Sequence, residues 1–436
     1  MRAQATRQSV GGAILTFFIL SCAGAGDSSG DAAVDGGRET TPPTRGEDAG
    51  VDAPAVLPGL EVLLQDSIHL VRGRRVGLVT NHTGLSPDGT HTIDRLRDHP
   101  DVELVALYSP EHGIRGTAEA GERVASGRDE PTGLPLHSLY GDTRKPTPSM
   151  LEGVEVLLFD IQDVGARYYT YVWTMALAQE AAGEAGIPFV VLDRPNPIGG
   201  HRMQGNVLEP AFATFVGLHP VPMRHGLTPG ELARVVRDAY GVEADLHVVP
   251  LQGWRRDMLF PETGLPWVPL SPNMPSVTSA LHYPGTCLFE GTNLSVGRGT
   301  ENAFQWIGAP WLDGEELAAR LEALELPGVR FEPVSFTPRD PGDGKYGGEV
   351  VSGVRFVATD PDLYDPPVAA VAALLEARRL AGERWEWRPA HFDRLAGNDR
   401  LRRMIDEGRP LGEIVAPWRD ELAAFHALSE PHLLYR

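Results

Sequence analysis

Apolar runs that alternate with helical patterns are the feature that most constrains the fold of this chain. The runs are RRVGLVTN, VELVALYS, VEVLLFDI, IPFVVLDR and LHVVPL. Amphipathic segments lie between them, among them TIDRLRDH and TPGELARVVRDAYG, and the latter begins with a capping box of Thr228 and Glu231. Because strands that are apolar on both faces need helices above and below, the alternation predicts an α/β fold with a Rossmann-like, doubly wound, mostly parallel sheet.

The sequence changes character after about residue 300. A helical segment, GEELAARLEAL, is followed by the strand-like runs GVRFEPVSF and GGEVVSGVRFVATD and then by the helical PPVAAVAALLEARRL. This order is typical of an α+β unit rather than of a parallel sheet. We therefore predict a Rossmann-like catalytic domain over residues 57–300 and a smaller C-terminal α+β domain over residues 301–436.

The N-terminus has the pattern of an export signal. Arg2 and Arg7 precede the apolar run GGAILTFFIL, which is too short to span a bilayer but suits a signal-peptide core. A small residue followed by Cys22 predicts a lipoprotein signal peptide over residues 1–22, with Cys22 lipidated. The alternative is ordinary secretory cleavage slightly later, near Ala23, Gly24 and Ala25. Residues 23–56 contain almost no large apolar side chain, which predicts a disordered linker. The chain is thus expected to be exported as a membrane-anchored lipoprotein facing the periplasm.

Charge and cysteine content exclude some classes of protein. The formal net charge of −20 argues against a nucleic-acid partner, which requires a basic surface. The two cysteines are Cys22 and Cys287, so lipidation of the first leaves the second without a disulfide partner. Cys287 lies among apolar neighbours and is expected to be a core residue.

Polar clusters follow four consecutive predicted strands. Because the carboxyl ends of parallel strands meet at one edge of a sheet, these clusters predict a cleft there. The clusters contain Asn81 and His82; Glu111, His112 and Arg115; Asp160, Gln162, Asp163, Arg167, Tyr168 and Tyr169; and Arg194 and Asn196. Further polar candidates occur later in the chain, namely Arg224, His225, Asn273, Glu290, Asn293 and Arg298.

Two chemistries suit such a set of side chains. Carboxylates beside aromatic rings are typical of glycoside hydrolysis, in which a carboxylic acid protonates the leaving oxygen. Alternatively, Asp160 and Asp163 with His82 or His112 could hold a divalent metal. The sequence contains no H-E-x-x-H zinc motif and no nucleophile elbow around Ser295.

Seven motifs in a fixed order carry a family resemblance. They are VTNHTG, LYSPEHGIRG, FDIQDVGARYYTY, LDRPNPIGG, RHGLTPGELA, SPNMPS and EGTNLSVGRGTENAFQWIGAPW. In this order the motifs resemble those of the exo-β-N-acetylmuramidases, glycoside hydrolase family 171, formerly a family of unknown function. The resemblance extends from about residue 57 to the C-terminus. It implies an active-site cleft between a Rossmann-like domain and a smaller one, and release of N-acetylmuramic acid from the non-reducing end of peptidoglycan fragments without a cofactor or metal.

The resemblance also implies roles for individual residues. Glu111 is expected to be the general acid, with His112 beside it, and Asp160 or Asp163 the second catalytic carboxylate, with Glu290 in reserve. An arginine is expected to pair with the lactyl carboxylate of muramic acid, the candidates being Arg167, Arg194, Arg224 and Arg298. The amide and imidazole groups expected to bind the sugar are those of Asn81, His82, Asn196 and Asn273. The remaining substrate-binding candidates are Arg115, Gln162, Tyr168, Tyr169, His225 and Asn293.

Two other functions stay open at the level of sequence. A lipoprotein that binds peptidoglycan fragments without cleaving them would need the same cleft but no general acid. A metal-dependent deacetylase or esterase would use the aspartate and histidine side chains as ligands.

We predict that Cys22→Ser removes the membrane attachment. The variant loses the lipidated residue, so it should move from the membrane fraction to the soluble fraction of a bacterial host. Fractionation and mass analysis of the mature N-terminus check this. A wild-type protein that begins at residue 24, 25 or 26 with no lipid would show secretory cleavage instead.

Overall fold

A computed structural model describes residues 56–119 and 121–436. The predicted signal peptide, Cys22 and the predicted linker up to residue 55 lie outside the described residues. No helix within the described part of the chain is long and apolar enough to cross a membrane.

Twelve strands form three sheets in the described residues. They are β1 (Arg75–Thr80), β2 (Glu103–Ser109), β3 (Gly127–Arg128), β4 (Pro135–Ser138), β5 (Val156–Asp160), β6 (Phe189–Leu192), β7 (Gln204–Val207), β8 (Pro222–Arg224), β9 (Leu246–Val249), β10 (Trp306–Ala309), β11 (Val329–Phe336) and β12 (Val351–Ala358). The α-helices are α1 (Gly59–Asp66), α2 (Thr92–Arg97), α3 (Tyr171–Ala185), α4 (Pro229–Tyr240), α5 (Val277–Thr286), α6 (Gly314–Glu322), α7 (Pro366–Ala381), α8 (Pro389–Ala396), α9 (Arg400–Asp406), α10 (Leu411–Val415) and α11 (Trp418–Ser429).

The central sheet has the strand order β3-β4-β2-β1-β5-β6-β9. Its neighbouring strands run parallel except for the short edge pair β3 and β4. Strands β1, β5 and β6 are buried along almost their whole length, as continuously apolar runs require. The α/β, Rossmann-like fold predicted from the sequence is therefore confirmed. The chain leaves β1 toward β2 on one side and later returns to β5 on the other, so the order of the strands switches beside β1.

The C-terminal part adds a second, antiparallel sheet. Its order is β10-β12-β11; α6 packs beside the sheet, and α7 packs against α6. One hydrophobic core contains Phe159 and Trp173 of the first part together with Phe356 and Phe392 of the second. The domain boundary near residue 300 stays a prediction.

Arg167 joins the two parts through buried hydrogen bonds. Its side chain is 0% exposed, and its guanidinium donates to the backbone carbonyls of Asn206 and Val221, and to those of Leu395 and Ala396 in α8, each at 2.9 Å. Burial lowers the pKa of Arg167 to about 10, so the group remains charged at neutral pH. The arginine thereby positions α8 against the loops that follow the central sheet.

We predict that Arg167→Met destabilises the fold by roughly 3–5 kcal/mol. The substitution leaves four buried carbonyl groups without a donor, and each such loss costs free energy. Chemical denaturation of both proteins checks the value. Arg72→Met is the matched control, because Arg72 pairs with Asp101 at the surface and its loss should change stability little.

Candidate active site

A cleft of about 230 Å³ lies beyond the carboxyl ends of the central strands. Part of its wall comes from loops after these strands, and part comes from the C-terminal region. The lining residues are Glu111, His112, Tyr140, Arg144, Tyr168, Tyr169, Thr170, Thr214, Phe215, Val216, Ser271, Asn273, Met274, Tyr283, Cys287, Glu290, Arg298, Phe304, His391, Arg394 and Leu395.

Glu111 stands at the end of β2 and is held from both sides of its carboxylate. One oxygen, Oε2, accepts a hydrogen bond from the Thr170 hydroxyl at 2.6 Å, and the other accepts one from the Gly121 backbone N–H at 3.0 Å. The side chain is 8% exposed, at the cleft wall. Burial, reinforced by the nearby charge of Glu111, raises the pKa of Tyr140, so this phenol stays protonated beside the carboxylate. Glu111 is therefore a fixed, reachable carboxyl group.

His112 shares the turn with Glu111 and has an unusual backbone. Its φ of 69° lies in the left-handed region, which costs energy for a residue with a side chain. Two hydrogen bonds to Ala118 stabilise this conformation. The Nδ1 atom of His112 lies 2.6 Å from the Ala118 carbonyl oxygen, and the His112 carbonyl accepts a hydrogen bond from the Ala118 N–H at 3.2 Å. At Gly116, also with positive φ, an added Cβ would lie 2.1 Å from the His82 ring. The tight turn thus brings Glu111 and His112 to the cleft together.

Aromatic rings form one wall of the cleft. Tyr283 packs edge to face against Tyr168, Tyr169 and Phe304, with ring centroids 5.7, 5.8 and 4.7 Å apart. The Tyr168 hydroxyl donates to the Pro284 carbonyl, so that ring is fixed. Predicted binding residues Tyr168 and Tyr169 therefore do reach the cleft, as packed rings that offer it an apolar face.

Glu290 is a second carboxylate at the cleft, and Arg298 neutralises it. The Arg298 Nε and Nη2 atoms lie 2.8 and 2.6 Å from Glu290 Oε1. Burial alone would raise the pKa of Glu290, but the charge and hydrogen bonds of Arg298 outweigh burial and hold that pKa below its usual value. The thiol of Cys287 lies 3.5 Å from Oε2 and is buried, with its pKa well raised by that burial. Glu290 therefore remains ionised in the cleft.

The buried ammonium of Lys345 supports the Glu290 loop. Its Nζ donates to the carbonyls of Phe289, Glu290 and Leu294 at 3.2, 3.4 and 2.7 Å. Burial lowers the pKa of Lys345 to about 8, a shift that the charges of Asp343 and Glu290 partly oppose.

Asp160 and Asp163, the carboxylates expected to assist Glu111, do not line the cleft. Arg194 binds Asp160 with Nε–Oδ1 at 2.5 Å and Nη2–Oδ2 at 3.0 Å, and the Thr92 hydroxyl also donates to this carboxylate. Asp163 accepts from the Gly165 N–H at 2.6 Å and lies 3.7 Å from the His225 ring. Both carboxylates are buried and fix loop structure, and a catalytic role for either stays a prediction.

Three of the four arginines expected to meet a substrate carboxylate are buried in protein contacts. Arg167 is committed to four carbonyls, and Arg194 to Asp160. Arg224 is 0% exposed and donates to the Gln204 side chain at 2.8 Å and to the Ile198 carbonyl. Arg298 does line the cleft, but its charge is matched by Glu290. Burial and internal pairing occupy most donors of these four arginines, and a substrate clamp among them stays a prediction.

Most of the predicted hydrogen-bonding residues instead shape turns. Asn81 Oδ1 accepts from the N–H and hydroxyl of Thr83, and Asn196 bridges Ile198 and Leu227. The following residues have protein partners outside the cleft: His82 (Pro269 carbonyl), Arg115 (Asp129), Gln162 (Pro195 carbonyl), His225 (Leu227 N–H) and Asn293 (Arg384 carbonyl). Asn273 does line the cleft and donates to Glu119 at 3.4 Å.

The sequence analysis missed several residues of the cleft. Tyr140 and Arg144 lie in a loop after β4, and Phe215 lies in a loop before β8, outside any helix or strand. His391 and Arg394 lie on α8, nearly 300 residues after Glu111 in the chain. No local pattern marks these residues, because only the packing of α8 brings them to the cleft.

The predicted metal ligands are not gathered into one site. Within residues 56–119 and 121–436, no group of three or more His, Cys, Asp or Glu side chains is placed to hold a metal ion. The residues considered for that role, Asp160, Asp163, His82 and His112, have separate protein partners.

Comparison with known proteins identifies the class and then the family. The family comparisons, together with the fixed carboxyl group in the aromatic-walled cleft, show that the protein is a glycoside hydrolase. Family models described as exo-β-N-acetylmuramidase NamZ match the chain, the N-terminal model over residues 76–278 and the C-terminal model over residues 281–435. The chain belongs to the exo-β-N-acetylmuramidase NamZ family, which confirms the resemblance carried by its motifs.

Individual relatives are similar over most of the chain. The chain is 45% identical over 383 residues to the peptidoglycan β-N-acetylmuramidase NamZ of Bacillus subtilis strain 168, covering 88% of this chain and 92% of that protein. A crystal structure of a DUF1343 family protein of Bacteroides fragilis NCTC 9343 superposes with a TM-score of 0.82 at 37% identity, covering 88% of this chain and 100% of the other. A second such protein from the same strain gives 0.69 at 31% identity, covering 87% and 99%.

We predict that the titration of Lys345 makes the protein more stable at high pH. Its folded-state pKa of about 8 lies below the usual 10.5, so the folded protein binds fewer protons between these values and this group favours folding increasingly as pH rises. The free energy of unfolding should contain a component of ~2–3 kcal/mol that Lys345→Met lacks. Denaturation at pH 7.5 and pH 10 checks this. Lys145→Met, at a surface contact with Glu180 and Glu184, should keep the wild-type rise.

Proposed function

We propose that this chain is an exo-acting muramidase that releases N-acetylmuramic acid from the non-reducing end of peptidoglycan fragments, with Glu111 as general acid. Membership of the exo-β-N-acetylmuramidase family and the name of the Bacillus subtilis relative support the reaction and the substrate. The single structural observation that carries the role of Glu111 is its fixed carboxyl group at the wall of the cleft.

Glycosidic cleavage at this site begins with a proton transfer from Glu111. The Glu111 carboxyl gives its proton to the glycosidic oxygen as the bond from that oxygen to the anomeric carbon breaks, and the leaving sugar departs as an alcohol. Positive charge then develops on the sugar ring. Water then adds its hydroxyl group to the anomeric carbon of the N-acetylmuramic acid, and its remaining proton returns to Glu111. The hydrogen bonds from Thr170 and Gly121 hold the carboxyl group in one position, which reduces the ordering required in the transition state.

Glu290 replaces the two buried aspartates as the second carboxylate in this proposal. Its lowered pKa suits a group that must stay ionised while positive charge develops on the sugar. Arg298 holds this carboxylate in place and Lys345 holds the loop that carries it. The aromatic wall of Tyr169, Tyr283 and Phe304 offers an apolar face to the sugar ring.

The place of action proposed is the periplasmic face of a membrane. The pattern before Cys22 supports export and lipidation, and a lipid anchor at this residue would keep the enzyme close to the cell wall. In this proposal cleavage of peptidoglycan fragments serves the recycling of cell-wall sugars. Formation of free N-acetylmuramic acid from a defined fragment separates this function from binding without cleavage, and retention of activity with a chelator separates it from a metal-dependent esterase or deacetylase.

We predict that Glu111→Gln lowers kcat for a chromogenic β-N-acetylmuramide by about 10²–10⁴-fold. Glutamine keeps the shape of the side chain but has no acidic proton to give. Steady-state kinetics check the loss, and circular dichroism checks folding. Glu130→Gln is the matched control, because Glu130 is an exposed glutamate that does not line the cleft.

The role of Glu111 is overturned if the folded Glu111→Gln variant cleaves the substrate as fast as the wild-type protein. The proposed substrate is wrong if wild type cleaves β-N-acetylglucosaminides in preference to muramides.

A further inference from the structure

Two arginines of the cleft form no ion pair with a carboxylate in the described part of the chain. Arg144 and Arg394 both line the cavity, and neither forms an ion pair with any of residues 56–119 or 121–436. The third arginine of the cavity, Arg298, differs because Glu290 matches its charge. Among the described residues, the cleft thus contains two arginines outside any ion pair, in a chain whose formal net charge is −20.

Contacts within the protein orient both guanidinium groups. The guanidinium carbon of Arg144 lies 4.5 Å from the centroid of the Phe215 ring, a cation–π contact. Arg394 Nη2 lies against His391 Nδ1 on the same helix, α8. Neither contact uses a carboxylate, so donors on both arginines remain for a ligand.

Tyr140 lines the same cavity as Glu111, Arg144 and Arg394. Burial first, and then the charge of Glu111, raises the pKa of Tyr140, whereas the charges of Arg144 and Arg394 oppose that rise. Because the four residues line one cavity of about 230 Å³, an anion bound by the two arginines would lie near the proposed general acid.

We propose that Arg144 and Arg394 bind the lactyl carboxylate of N-acetylmuramic acid and thereby select this sugar over N-acetylglucosamine. The inference rests on the proposed function and assigns the specificity of the same site. A guanidinium offers parallel N–H donors that match the two oxygens of a carboxylate, and N-acetylglucosamine has no such group. The recognition is assembled from both halves of the chain, since Arg144 comes from the loop after β4 and Arg394 from α8.

Selectivity between matched substrates tests the assignment. Arg144→Met and Arg394→Met should each lower kcat/KM for a chromogenic β-N-acetylmuramide by roughly 10- to 100-fold, mainly through KM, because each removes hydrogen bonds to a charged group. The rate with the matching N-acetylglucosaminide should change little, so the preference for the muramide should fall. Arg123→Met is the control, since Arg123 is an exposed arginine that pairs with Asp142 and does not line the cleft.

Calorimetry gives a second measurement that does not depend on the arginine variants folding. N-acetylmuramic acid and its lactyl methyl ester are titrated into the Glu111→Gln protein. The ester is neutral but nearly the same shape, so it should bind at least about tenfold more weakly.

The outcomes separate the two proposals. Equal binding of acid and ester, or an unchanged preference in folded arginine variants, overturns the arginine assignment while leaving the hydrolase proposal intact. A wild-type protein that binds the acid better than the ester but releases no muramic acid overturns the proposed function and supports the arginine assignment.

Discussion

The buried guanidinium of Arg167 is the interaction on which the cleft depends. Arg167 follows β5 in the chain, yet its Nη2 atom donates hydrogen bonds to carbonyls of α8, more than 220 residues later. Burying a charged group is costly unless hydrogen bonds compensate for the lost water, so the four bonds from Nη1 and Nη2 favour one arrangement of the two parts. That arrangement places His391 and Arg394 across the cavity from the loops of the central sheet.

The cleft combines two carboxylates in different electrostatic settings. Glu111 accepts hydrogen bonds from the neutral Thr170 hydroxyl and Gly121 N–H, whereas Glu290 forms an ion pair with Arg298. Environments of this kind allow two carboxyl groups to take different roles in one reaction. The other buried acids near the sheet edge, Asp160 and Asp163, do not line the cleft and bind groups of the neighbouring loops.

Polar residues that follow parallel strands lie near one edge of the sheet, but not all of them face the cleft. Parallel strands expose their carboxyl ends at that edge, and Glu111, which follows β2, lines the cleft. Position after a strand does not distinguish a residue that faces the cleft from one that turns back into the protein. Arg194 follows β6 as closely as Glu111 follows β2, yet its side chain binds Asp160. Asn196, two residues further on, binds backbone groups.

The amino-acid sequence by itself determined the class of fold, the family and the turn that carries Glu111 and His112, because these depend on local apolar patterns and on motifs contiguous in the chain. Only the tertiary structure decided which charges remain unmatched. Pairing of Arg298 with Glu290 is local, but the isolation of Arg144 and Arg394 is a property of everything packed around them. Whether the charge of an arginine is free to bind a ligand depends on how far other charges lie from it in space. The sequence does not give those distances for Arg144 and Arg394, which are 250 positions apart.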